Sequence, residues 1–180
     1  MSTVMYDSTD YTSIPTGATM VAGYIDGRYA WSSYAWNSFP NARKVKIAVF
    51  PTTQGGDVLD VENGDATPAQ AVSWVQARRN AGANPVVYCN RSTWPQVTQA
   101  FTAAGVAQPL YWIADWTWAA HIPSGAVACQ WGAYGRFDVS EVGPDWPGGA
   151  KAEAAQQLLL VRTQLKQIVD QLAGIVNSLE

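Results

Sequence analysis

The sequence predicts an α/β protein: a compact TIM-like (β/α) barrel followed by a C-terminal coiled-coil-type helix. Three observations predict it. Eight short apolar runs, each the length of one strand, are spaced along residues 3–142. Amphipathic helical stretches lie between some of them. Composition then breaks near "PDWPGGAKAEAA": every Trp, Tyr and Phe lies at or before Trp146, and the remainder is rich in helix formers. The expected division is residues 1–147 for the barrel and 148–180 for the helix.

In chain order the expected strands are "TVMYD" (3–7), "TMVAGYID" (19–26), "VKIAVF" (45–50) and "DVLDVE" (57–62). They continue with "NPVVYCN" (84–90), "LYWIADW" (110–116), "AVACQW" (126–131) and "RFDVSEV" (136–142). Most are nearly continuously apolar, which marks strands buried on both faces of a parallel sheet. One helix is expected over "TPAQAVSWVQARRNAG", with Thr67 as N-cap, Pro68 at the first helical position and Gly82 past the end. A second is expected over "STWPQVTQAFTAAG", bracketed by Ser92 and Gly105. Residues 8–18 and 51–56 offer little or no helix. A doubly wound open sheet is the alternative, but no Gly-rich phosphate fingerprint follows the first strand.

In the tail, Leu158, Val161, Leu165, Ile168, Leu172, Ile175 and Leu179 follow alternating steps of three and four. That is an a/d heptad seam. Leu at a with β-branched residues at d favours more than two parallel strands. Self-association or docking to a partner helix is one reading. Packing on its own domain is the other, and Val169 and Val176 widen the stripe in its favour.

The chain of 180 residues is 48% hydrophobic with a net charge of -3, which suits a packed core and gives no footprint for nucleic acid. No apolar run reaches the roughly 18–20 residues of a membrane span. "MSTVMYDSTD" has neither a basic n-region nor a long apolar h-region, so no secretory signal is expected. Cys89 and Cys129 sit in strand-like runs and read as buried small hydrophobes. The lone His121 reads as a loop residue. No metal site and no cofactor is expected.

The acids are the most informative residues. In "DVLDVENGD", Asp60 and Glu62 are two positions apart, so on a strand both point to one face. Asp7, Asp26, Asp115 and Asp138 also fall at or near expected strand ends. In a parallel barrel those ends converge on the face where active sites form. Carboxylates crowded together raise one another's pKa, and glycoside hydrolysis needs one protonated acid beside ionised partners. Tyr6, Tyr24, Tyr88, Trp112, Trp116, Trp118 and Trp131 surround the same ends and offer flat faces for sugars.

Over about residues 3–142 this pattern resembles glycoside hydrolase family 25, the lysozyme-type muramidases, and especially its shortened actinobacterial and phage relatives. The matching features are Asp7 ending the first strand, Asp60-Val61-Glu62 ending the fourth, and Tyr88 and Asn90 in "VVYCN". "LYWIADW", Gln130-Trp131 and Asp138 with Ser140 in "FDVS" follow in the family's order. The resemblance implies a peptidoglycan glycan-strand hydrolase, with Glu62 as general acid and Asp60 positioning the N-acetyl group or stabilising the transition state. Asp7 and Asp138 complete the acidic ring. Asp26, Tyr88, Asn90, Trp112, Asp115, Trp116, Gln130 and Trp131 are the expected substrate contacts. The chain departs from the family at "AVFPTTQGGD", which lacks the His of a "GxYHF"-like segment, and at Asp115, where another polar residue is usual. A non-catalytic carbohydrate-binding or structural virion module on the same barrel is the alternative. The implied location is a phage virion, or the host cytoplasm until lysis, with action at the bacterial cell wall.

Overall fold

The structure, a computed structural model, describes residues 3–147, 158 and 161–172. By internal contacts the chain separates into two units, Met1–Gly143 and Pro144–Glu180.

The first unit is a closed barrel of eight strands in sequential order. They are β1 (Thr3–Asp7), β2 (Met20–Tyr24), β3 (Arg43–Ala48), β4 (Val58–Asp60), β5 (Val86–Asn90), β6 (Leu110–Ala114), β7 (Ala128–Tyr134) and β8 (Phe137–Val142). Strands β1 to β7 are parallel. The expectation of an all-parallel barrel fails at β8, which runs antiparallel to both β7 and β1. The cause is chain length. Tyr134 pairs with Phe137 across a two-residue turn that uses Gly135 at φ 68°. A parallel crossover takes a dozen residues or more. Asp138 therefore lies near the start of its strand, not its end, yet reaches the same barrel mouth, directly opposite Asp7.

Helices are few. Helix α2 (Pro68–Asn80) and α3 (Trp94–Ala103) cover the β4–β6 side, where Leu59, Val75, Trp74, Val87, Phe101 and Ile113 form one core cluster. The cap of α2 is as the sequence predicts. Thr67 accepts from Gln70 N while the Gln70 side chain accepts from Thr67 N, a complete capping box. Thr67→Ala is expected to destabilise the barrel by about 1 kcal/mol, read as a lowered thermal midpoint. Helix α3 differs from expectation. Its N-cap is Thr93, whose side chain makes no capping bond, and Ser92 lies outside the helix. The Asn90 carboxamide oxygen instead accepts from Ser92 N and Thr93 N.

Elsewhere aromatic side chains replace helices. Between β2 and β3 the chain forms only the five-residue α1 (Ser33–Asn37), and residues 8–18 hold only a short 3-10 turn. Trp31, Phe39, Ile14, Val21 and Ala35 pack a second core there. The Trp31 indole donates to Ser8 O at 3.1 Å. A Cβ on Gly23 would stand 2.4 Å from the Trp31 ring, so this approach requires glycine.

In the second unit, residues 158 and 161–172 are helical. Leu158, Val161, Leu165, Ile168 and Leu172 are all exposed, as is Val169. Ile175, Val176 and Leu179 lie outside the described residues. Lys166 and Asp170 pair at 3.3 Å along the helix. Among the described residues no helix is long and apolar enough to cross a membrane.

Candidate active site

An open cavity of about 620 Å³ occupies the mouth where β1 to β7 end and β8 begins. Asp7 from β1, Glu62 from the loop after β4, Asp115 just past β6 and Asp138 from β8 are its acidic lining. Tyr24, Tyr88, Asn90, Arg91, Ser92, Ala114, Trp116 and Gln130 complete it.

The Asp60–Glu62 pair is split by depth. Strand β4 ends at Asp60, and a turn follows in which Asp65 N donates to Glu62 O and Gly64 takes φ 99°. Asp60 is 3% exposed and lies outside the cavity lining, while half-buried Glu62 reaches the cavity. One Asp60 oxygen, Oδ1, is buried with no hydrogen-bond partner among the described residues.

The electrostatics follow from burial. Asp7, 4% exposed, is pushed up to about 8, first by desolvation and then by the Asp138 and Glu62 charges; a hydrogen bond from Gln130 partly offsets this. Asp60 is raised well above the carboxylate range by burial and then by Glu62. Glu62 is raised by burial, with a hydrogen bond from Asn90 pulling it back. Asp138 is raised by burial. The Glu62 charge adds to the shift of Asp60, so the two carboxyls titrate as a coupled pair.

The other expected contacts divide. Tyr88, Asn90, Asp115, Trp116 and Gln130 line the cavity. Three do not. Trp112 is fully buried beneath Tyr88, with its indole donating to Ser140 Oγ at 3.0 Å. Asp26 is used by the backbone: its carboxylate accepts from Val49 N at 2.7 Å and Phe50 N at 3.2 Å, tying two loops together. Trp131 falls at the register shift between Gln130 and Gly132, a β-bulge that turns it out of the ladder. Asp115 faces His121 at 3.2 Å, in the loop where His121 was expected. Cys89 and Cys129 are free and buried. Arg91 and Ser92 were missed. Their signal was position, since residues just past a parallel strand form the mouth. Among the described residues no group of His, Cys, Asp and Glu has the makings of a metal site.

The molecule is thus a compact TIM-like α/β barrel with carboxylates clustered at its mouth. No family model and no curated protein matches the sequence. Among solved structures it is similar to the modular Cpl-1 endolysin, crystallised as a mutant in complex with a peptidoglycan analogue, a tetrasaccharide-pentapeptide. The TM-score is 0.53 at 16% identity, covering 78% of this chain and 54% of that one. The likeness is one of fold, and this chain spans about half of that structure's length.

Proposed function

We propose that the protein is a glycan-strand hydrolase of the muramidase type, acting on bacterial peptidoglycan. The observation that carries the proposal is the set of four carboxyl groups, Asp7, Asp60, Glu62 and Asp138, gathered at one barrel mouth with raised pKa values. The endolysin fold supports it.

Glu62 is the member of the Asp60–Glu62 pair that a substrate can reach, so it protonates the glycosidic oxygen. A glycan covering the mouth expels water from around Glu62 and raises its pKa further. Asp138, once ionised, stabilises the positive charge of the oxocarbenium-like transition state. Asp60 acts from beneath, holding a proton that leaves Glu62 free of a second adjacent charge. Tyr24, Tyr88 and Trp116 give the sugar rings apolar faces. The test is mass analysis of fragments released from purified peptidoglycan. New reducing ends on muramic acid support the reading, and intact glycan strands after incubation with folded protein oppose it.

A second reading, a non-catalytic carbohydrate-binding or structural virion module, is favoured by the exposed apolar seam of Leu158, Val161, Leu165, Ile168 and Leu172. Such a stripe needs a partner. The partner we propose is further copies of the same helix, in a bundle of more than two strands. Both readings accommodate this assembly, and both place the protein in a phage virion that meets the cell wall. Light scattering at micromolar concentration is expected to give a multimer that Leu165→Lys dissociates. A monomeric wild type contradicts it.

A further inference from the structure

The Gln130 side chain is held by four hydrogen bonds at the site. It is 3% exposed and sits at the β7 bulge. Its oxygen accepts from Tyr88 OH at 2.9 Å and from Trp116 Nε1 at 2.9 Å. Its nitrogen donates to Asp7 Oδ2 at 3.0 Å and to Asp138 Oδ2 at 3.4 Å. Two bonds accepted and two donated fill the amide. Although it lines the cavity, Gln130 has no hydrogen bond left to give a sugar.

The chemistry fixes which way the amide points. An indole N–H only donates, so the atom facing Trp116 is the Gln130 oxygen. The NH2 group must then face the two carboxylates, and both Oδ2 atoms must accept. A proton on Asp7 is thereby favoured on Oδ1, the buried oxygen with no hydrogen-bond partner among the described residues. The other end of the chain is in the cavity wall. Trp116 is 49% exposed and packs edge-on against Trp118, with ring centroids 5.9 Å apart.

We propose that Gln130 is a positioning residue that couples the aromatic wall, through the Trp116 N–H, to the Asp7–Asp138 carboxylate pair. A donated N–H favours the charged form of the carboxylate that accepts it. Asp7, with the shorter bond, feels it more. The charges acting on Asp7 are those of Asp138 and Glu62, while Asp7 in turn acts on Asp60, Tyr24 and Tyr88, and Asp138 on Glu62 and Tyr24. Arg91 is the cation in the cavity lining, and Gln130 is the amide that donates to both members of the pair. A sugar ring stacked on Trp116 presses on the indole that anchors this amide, so occupancy of the wall is felt at the acids. The consequence for turnover rests on the hydrolase reading; the coupling itself does not.

The test is carboxyl titration by carbon-13 NMR on the full chain labelled at Asp, with Asp7→Asn and Asp138→Asn used for assignment. Gln130→Met is expected to raise the Asp7 midpoint by about one unit. Trp116→Phe keeps an aromatic ring but removes the N–H donor together with the five-membered ring. It is expected to raise the same midpoint by less, with an unchanged amide fingerprint, and it decides the matter should Gln130→Met not fold. Superimposable Asp7 and Asp138 titrations in wild type and Trp116→Phe overturn the proposal. The readout needs no turnover, so an inactive protein would sink the hydrolase reading and leave this coupling measurable.

Discussion

Asp7→Asn is expected to stabilise the protein by about 4 kcal/mol at neutral pH, raising the thermal midpoint by roughly 10 °C. Asp7 titrates near the ordinary aspartate value of 3.8 when unfolded and at about 8 in the fold. The folded state therefore holds the proton more tightly. Stability from this group is fully present below pH 3.8 and is lost as pH rises from there towards 8, where the loss levels off. Asn has no proton to lose on unfolding, and its carbonyl oxygen can still accept from Gln130. Its advantage should vanish as pH falls below 4. Thermal denaturation of both proteins across pH reads this directly. Equal midpoints at neutral pH would mean that Asp7 is solvated and not the buried floor of a site. A carboxyl kept where it costs several kcal/mol is the mark of a functional position.

Glu62→Gln is expected to lower glycan turnover by about 10²–10⁴-fold while leaving glycan binding largely in place. Gln keeps the shape and loses the proton donor. In wild type the rate should fall as pH rises through the Glu62 pKa, which burial places above 4.5, because the acid form is the one needed. It should also fall at low pH, as Asp138 takes up its proton. The resulting profile is a bell whose two limbs report these two groups. Kinetics of the two proteins across pH check both limbs. A variant with wild-type turnover would remove Glu62 from the mechanism and shift attention to Asp7.

Much of the barrel was legible because parallel strands buried on two faces leave uninterrupted apolar runs, as in "VVYC" and "LYWIA". The α2 helix was legible because Thr67, Pro68 and Gly82 are local signals. The reversal of β8 was also written in the chain. The interval from Trp131 to Arg136 is too short for a crossover and long enough for a hairpin. The depth of side chains was not legible. Strand periodicity puts Asp60 and Glu62 on one face, but only the turn at Gly64 shows that one is buried and the other reaches the cavity. The use of Asp26 by two backbone amides and of Trp112 by Ser140 likewise depends on contacts between distant segments. Gln130 was picked out as a sugar contact, and only the fold shows its amide filled by bonds to Tyr88, Trp116, Asp7 and Asp138.

The measurement that tests the central claim most directly is reducing-sugar release from purified peptidoglycan of several bacterial sources, mycolated ones included, across mildly acidic to neutral pH. Wild type is expected to release reducing ends from at least one source, and Glu62→Gln to release almost none. No release by a folded wild type from any source would contradict glycan-strand hydrolysis and leave the barrel as a binding or structural module.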